Sequence, residues 1–537
     1  MKKRSLYGAT GIIASATFLS RILGLLREQV FAYFFGAGMY TDAFQIAFRI
    51  PNLLRDLFAE GAMSSALVPV YTKARKEKGE KYAWRMASNA IFWLALVLGC
   101  ISLLGIFFAD SLVSIYAPAF KSIEGKHELT VGLTRILWPF LPLVVMAAIW
   151  MGLLNARDCY ATPALAPSVF NIASILAAFF ICPMMMPLFG LHPIYGMAFG
   201  AVLGGLGQWL VQWPALRGEG FQLQGKIRFR DPELKRIVML MGAGTFGLAA
   251  TQINILINSV MASGEGDGAV SWLNYAFRLM QFPIGVFGVA ISTATLTKVS
   301  KEVAANDMEK VRTTVVSSLR MVLALTIPSA VGLAIMGVPI ISVIYEHGKF
   351  HAGDTYATAV ALAFYAIGLS AYSAIKVLVP VFYSLGKSRV AILSSGLSVI
   401  VNVGLCVLLV QYWGFKGLAF AASIAAIANC LVLLIMIEVY AKKIDFMSLF
   451  KCLLICGGAS LLMGLFLSLG LKLAGIPVFQ PISEQSLWFH ASFFKRVLFL
   501  CLALGAGVVT YISCAKVLGL QEINDLLSLC KKRFKDS

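Results

Sequence analysis

Asp42-Ala43-Phe44-Gln45-Ile46-Ala47-Phe48-Arg49-Ile50-Pro51-Asn52-Leu53-Leu54-Arg55-Asp56-Leu57-Phe58-Ala59-Glu60 is an apolar run with charges set into it at a regular beat. Asp42, Gln45, Arg49, Asn52, Asp56 and Glu60 are separated by 3, 4, 3, 4 and 4 residues. At about 100° per residue, all six fall within an arc of roughly 80° on one α-helix. A helix with one polar stripe and otherwise apolar faces has to turn that stripe away from lipid. Even on the lower insertion scale a central Asp, Lys or Arg costs about 2.5–3.5 kcal/mol, so four charges facing lipid would cost on the order of 10 kcal/mol. The stripe therefore faces a water-filled cavity or a partner helix.

The surroundings make this a membrane helix. Of 537 residues, 59% are hydrophobic and 13% charged, with a mean hydropathy of +0.82; soluble domains carry about 25% charged residues. Apolar stretches of about 20 residues, long enough to cross a bilayer, recur along the whole chain. The pattern predicts an all-α polytopic membrane protein with fourteen spans, at 7–35, 40–70, 86–117, 129–155, 163–188, 193–216, 234–262, 268–297, 313–345, 355–384, 390–411, 415–440, 446–474 and 492–517. Met1-Lys2-Lys3-Arg4 and Ala14-Ser15-Ala16 resemble a signal peptide and its cleavage site. Arg21, Arg27 and Glu28 follow at once, and we read an uncleaved first helix.

A net charge of +19 fits cytoplasmic loops enriched in Lys and Arg better than nucleic-acid binding. With the N-terminus inside, segments in or beside the cytoplasm hold 28 basic residues and external ones seven. Lys73, Arg75, Lys76, Lys78, Lys81 and Arg85 crowd one inner loop, whereas the loops 36–40, 183–195 and 262–268 have none. Both termini are thus expected in the cytoplasm. Ten cysteines are scattered without a CxxC pair, mostly in apolar runs, and read as small hydrophobes. His347 and His351 flank a turn and read as solvated rather than metal-binding.

A shift of 229 residues aligns Ala47-Phe48-Arg49 with Ala276-Phe277-Arg278, Phe58 with Phe287, Leu67 with Leu296 and Val70 with Val299. Parallel repeats are a common transporter plan, with the substrate site between the halves. We expect six-helix lobes at 1–222 and 229–440 around a central cavity, plus two further helices and a basic tail at 441–537. Pro51 and Pro283 each follow an arginine and remove a helix hydrogen bond, which makes each a candidate hinge or an ordinary static kink.

Five basic residues lie deep within assigned spans: Arg21, Arg27, Arg49, Arg55 and Arg278. Lys376 is also deep and reads equally as a helix-packing partner. Arg presents a planar fork of donors that suits phosphate oxygens. Arg21, Arg27 and Arg55 could converge on an anion while Glu28, Asp42, Asp56 and Glu60 orient them. The competing reading is a buried ladder, Asp42–Arg49–Asp56, that only packs helices. No HExxH, paired zinc-type Cys/His set, Walker loop or dinucleotide turn is present, so no metal or cofactor is expected. Transport would draw on a gradient or the membrane potential.

Ser20-Arg21-Ile22-Leu23-Gly24-Leu25-Leu26-Arg27-Glu28 resembles the opening signature of the MurJ (MviN) lipid II flippases. So do Phe35-Gly36-Ala37-Gly38-Met39-Tyr40-Thr41-Asp42-Ala43-Phe44, Pro51–Ala62, Val68-Pro69-Val70, Val270-Ser271-Trp272, and Arg278-Leu279-Met280-Gln281-Phe282-Pro283. The resemblance runs over essentially the whole chain and is densest in the first 75 residues. It implies the fold of the multidrug/oligosaccharidyl-lipid/polysaccharide exporter superfamily. The implied activity is movement of undecaprenyl-pyrophosphate-linked disaccharide-pentapeptide (lipid II) from the cytoplasmic to the periplasmic face of the bacterial inner membrane for cell-wall synthesis. On it, Arg21, Arg27, Arg55 and Arg278 would hold the pyrophosphate and head group. Ser20, Glu28, Asp42, Arg49, Asn52, Glu60 and Ser271 would support the cavity, and the last two helices would form a groove for the lipid tail. The implied partners are lipid II and membrane lipid, with cell-wall synthesis proteins as further candidates and no nucleic acid.

The chain departs from the family pattern at three places. Asp56 stands where many relatives carry a second Arg. Phe277 and Gln281 replace acids around Arg278. Asn254, Asn258, Asn402 and Cys406 are a poor donor set where some relatives are thought to bind sodium. The other readings are a flippase for a different lipid-linked oligosaccharide, a multidrug exporter, a membrane-embedded glycosyl or phosphoryl transferase, and a non-transporting scaffold. Four arginines speak against a cationic-drug site.

Overall fold

The computed structural model describes residues 6–58, 64–222, 232–441, 443–476, 478, 488, 491–524 and 528. Among them there is no strand; helices follow one another from end to end. In chain order they are α1 Leu6–Phe35, α2 Met39–Arg55, α3 Ser64–Lys78, α4 Glu80–Phe107, α5 Ala109–Tyr116, α6 Lys126–Leu137, α7 Phe140–Asn155, α8 Ala161–Leu176, α9 Cys182–Phe189, α10 Ile194–Leu210, α11 Trp213–Gly218 and α12 Pro232–Ser263. There follow α13 Ala269–Pro283, α14 Val289–Ala304, α15 Met308–Ile335, α16 Gly337–Tyr345, α17 Ala352–Ile367, α18 Leu369–Ser384, α19 Ser388–Trp413, α20 Phe415–Ala441, α21 Phe446–Leu473 and α22 Phe493–Val517. Ten helices among the described residues are long and apolar enough to cross a membrane, or eleven if α17 and α18, bent by 46°, form one span.

Helix ends fall where the sequence supplies a cap. The Asp307 carboxylate accepts from Lys310 N at 3.1 Å, and that of Asp445 from Ser448 N at 2.9 Å, each satisfying a first-turn amide. His351 and Asp354 form a reciprocal capping box at α17, a structural use for a histidine that the sequence left in a turn. Gly190, at φ 64°, closes α9 in the left-handed region.

The described residues divide into two compact units, Met1–Val270 and Ser271–Ser537. The division falls after α12, which packs along α3, α4 and α5. In the first unit, Phe31, Phe35 and Phe44 pack with Leu133, Leu137, Cys182 and Met197. Backbones come closest where α10 crosses α8 and the turns after it. Gly196, Gly200 and Gly204 line one face, with Cys182, Ala177 and Phe170 so near that a β-carbon would lie 2.7, 2.3 and 2.7 Å from them. Without a hydrophobic drive between helices in lipid, such small-residue contacts supply the packing energy.

The second unit has its own core, of Val299, Val315, Leu319, Val322, Leu378, Phe382 and Leu433. There α21 packs on α15 and α22, and the Tyr511 hydroxyl donates to Ala324 O at 2.7 Å. The outer faces of α21 and α22 expose Leu461, Leu465, Leu469, Leu502 and Val509, as expected of helices that meet lipid.

Arg157 ties together the inner edge of the first unit. Its side chain is only 9% exposed, and its Nε lies 2.8 Å from the Glu219 carboxylate. It also reaches Glu80 and the Tyr71 hydroxyl, and its guanidinium sits 5.0 Å above the Trp84 ring. Removing one partner of a buried pair costs about 3–5 kcal/mol. Because the Glu80 side chain is 52% exposed, part of that is screened. Arg157→Ala is expected to cost about 2–3 kcal/mol, read as a lowered Tm in detergent.

Candidate functional site

The sequence-predicted polar residues that are described differ in their surroundings. Arg21 is exposed on α1 and makes no hydrogen bond or ion pair among the described residues. Ser20, one residue earlier, gives its carbonyl to Asn171 Nδ2 of α8 at 3.1 Å. Arg27 lies 2.5 Å from the buried Glu28 carboxylate and 5.2 Å above the Phe170 ring. Its guanidinium is thus held by a neighbouring acid and an aromatic face, a fixed orientation that suits anion recognition.

On α2, Arg55 turns to Asp56, with Nη2 2.5 Å and Nε 3.1 Å from the same carboxylate oxygen. The departure at Asp56 therefore gives Arg55 its acidic partner from the next residue. Gln252 of α12 reaches the other Asp56 oxygen at 3.5 Å. Arg49 is half-buried. The Asn52 side-chain oxygen is buried without a hydrogen-bond partner among the described residues. Pro51 is buried inside α2. Glu60 lies outside the described residues.

Asp42 is enclosed completely. It accepts from Lys126 Nζ at 3.0 Å and from the Gly268 amide at 2.8 Å. Lys126 is itself 0% exposed and lies 2.6 Å from Asp267. Lys126 was not singled out in the sequence. The available signal was the loop 262–268, which holds Glu265 and Asp267 but no base. In that turn, burial pushes the Glu265 carboxyl above its ordinary range.

In the second unit Arg278 is exposed on α13, with Nε 3.2 Å from the Asn274 side-chain oxygen. Ser271 is buried in the first turn of the same helix. Lys376 is exposed on α18. Pro283 ends α13 and leads into a five-residue π turn, Ile284–Gly288, before α14. A π turn also follows the Pro51 region, at residues 56–58. Its described part falls at the place of the other under the 229-residue offset.

Among the described residues no group of three or more His, Cys, Asp or Glu is placed to hold a metal ion. Asn402 and Cys406 are both buried on α19.

Known proteins share this architecture. The family model for the lipid II flippase MurJ matches residues 31–474. A probable lipid II flippase MurJ of Buchnera aphidicola subsp. Schizaphis graminum is 31% identical over 523 residues, covering 96% of this chain and 98% of the relative. The lipid II flippase MurJ of Burkholderia cenocepacia is 35% identical over 434 residues, covering 80% and 83%. A solved lipid II flippase MurJ in an inward closed conformation superposes with a TM-score of 0.76 at 27% identity, over 96% of this chain and 99% of that one. An inward-facing multidrug resistance MATE family transporter of the MOP superfamily shares the fold, with a TM-score of 0.66 at 13% identity over 80% of this chain and 97% of that one.

Proposed function

This chain belongs to the MurJ family of lipid II flippases, and on that premise we propose how it moves its substrate. It is a multi-pass membrane protein of a bacterial transporter family, and its activity is the flipping of lipid II. In our reading it sits in the inner membrane with both termini in the cytoplasm. It carries the undecaprenyl-pyrophosphate-linked disaccharide-pentapeptide outward by alternating access, and it performs no covalent chemistry. The lobes 1–222 and 229–440 alternate about the cavity, and the helices within 441–537 guide the lipid tail.

Arg21, Arg27, Arg55 and Arg278 grip the pyrophosphate and head group. Ser20, Glu28, Asp42, Arg49, Asn52, Glu60 and Ser271 hold the cavity in shape. Pro51 and Pro283 act as hinges, a role supported by the π turn that follows each, since a wide turn leaves backbone groups loosely tied. Cell-wall synthesis proteins are the natural neighbours for delivery of the product.

The observation that carries this reading is the exposure of Arg21 and Arg278 on mostly apolar helices. A guanidinium on such a helix is stable only beside water or a polar ligand, and a pyrophosphate is the ligand whose charge and geometry it matches best. The test is a depletion–rescue experiment that reads lipid II on each leaflet. Cells depleted of their own flippase should accumulate lipid II on the cytoplasmic face, and expression of this chain should return it to the external face. Persistent inner-leaflet accumulation, with the chain inserted at normal levels, would rule the function out.

A further inference from the structure

A lysine with no exposed surface is rare, and one at the outer end of a membrane helix, where water is near, has no need to be buried unless its contacts are used. Lys126 begins α6. Its Nζ lies 3.0 Å from Asp42 on α2, 2.6 Å from Asp267 and 4.2 Å from the centre of the Phe120 ring. Asp42 accepts in turn from the Gly268 amide. Gly268 is the residue before α13, and Asp267 stands next to it in the short turn that leads from α12. One ammonium group thus joins the outer ends of α2 and α6 to the turn between α12 and α13.

The two arms of this contact differ. The Asp42 side chain is 0% exposed and the Asp267 side chain 50% exposed. The inner arm is sealed from water, while the outer arm can exchange its lysine for solvent at little cost because its carboxylate is already half hydrated. A break at Asp267 loosens the turn, which then rests on the Asp42–Gly268 hydrogen bond, and leaves Lys126 and Asp42 paired.

We propose that Lys126 is a positioning residue for transport: it holds the α12–α13 turn to the outer ends of α2 and α6, and it releases Asp267 in every cycle. This rests on the alternating-access reading, because a strap at the external end has a role only if that end opens. The Asp42–Gly268 hydrogen bond alone gives the turn a seat. Lys126 adds the charge that neutralises the enclosed carboxylate and reaches the acid beyond it.

The test joins the two ends reversibly. In a Lys126→Cys, Asp267→Cys chain, a short bifunctional methanethiosulfonate bridges the positions and a reductant removes it, with the parent chain treated in parallel as the control for native thiols. Bridging is expected to reduce the appearance of lipid II on the external leaflet at least tenfold, reductant to restore it, and the parent to be unaffected. Flipping unchanged with the bridge complete by mass overturns the proposal.

Should the double variant fail to insert, Lys126→Met and Lys126→Arg are compared by labelling a Gln281→Cys reporter with an impermeant thiol reagent added outside. Met is expected to raise labelling several-fold and Arg to keep it near the parent level, at equal membrane amounts. Equal labelling in both overturns the proposal. The reporter also separates the two ideas. If it is never reached from outside with Lys126 in place during turnover, alternating access fails. If it is reached but ignores residue 126, only the strap fails.

Discussion

Arg278→Ala is expected to abolish rescue of a flippase-depleted cell while leaving insertion and thermal stability near those of the parent. The side chain is exposed and its Nε meets the neutral amide oxygen of Asn274, so truncation removes donors from a solvated group rather than from the core. A charge-assisted hydrogen bond is worth about 1.5–3 kcal/mol. Losing a bidentate pair at the limiting step slows transport about 100-fold or more. Arg278→Lys keeps the charge but loses the planar fork, and it should recover only part of the rate. Arg27→Ala should abolish rescue too, with a different signature. It deprives the buried Glu28 of its guanidinium and removes the cover of Phe170, so the protein should also melt earlier. Growth at non-permissive depletion, with membrane amounts measured by blot, checks both. Normal growth of the Arg278 and Arg27 variants would remove these residues from the substrate site.

Gly196→Ala should produce a large loss of stability from a single added methyl group. The new carbon would lie 2.7 Å from both Cα and N of Cys182. These are backbone atoms, so no side-chain rotation relieves the clash. Overpacking a tight site costs about 1–3 kcal/mol and occasionally more, and here relief requires α10 to move away from the backbone at Cys182. Gly200 and Gly204, on the same face, would lose their close contacts in the same movement. The measurement is the midpoint of heat-induced loss of the monodisperse peak in detergent. Gly457→Ala, where nothing lies within 4 Å of the new carbon, is the matched control and should be neutral.

The all-helical membrane fold was legible because lipid imposes it: apolar stretches of sufficient length can satisfy their backbone only as helices or closed barrels. The charged stripe of α2 was legible for the same reason, since its cost in lipid is computable from spacing alone. The destinations of those charges were not. Helical phase placed Asp42 on the polar stripe, and it lies enclosed by Lys126 and Gly268, 84 and 226 positions away in sequence. Nothing in the sequence singled out Arg157, and its burial follows from Tyr71, Glu80, Trp84 and Glu219 meeting around it. Phase on one helix says which side chains share a face. It is silent about which distant residue arrives there.

The wide turns after Pro51 and Pro283 carry a consequence for how this chain tolerates change. Each contains more residues per turn than the helix on either side. Deleting one residue at Ile284–Gly288 would let the coil close into an uninterrupted α-helix with little change of phase beyond it, because the wide turn spends one extra residue on about the same rotation. Thr293 and Thr297, now exposed on α14, would keep their direction, whereas a deletion in the regular helix just before them would turn them by about 100°. The wide turn is thus the place in its segment where one residue can be lost without re-aiming the side chains that follow.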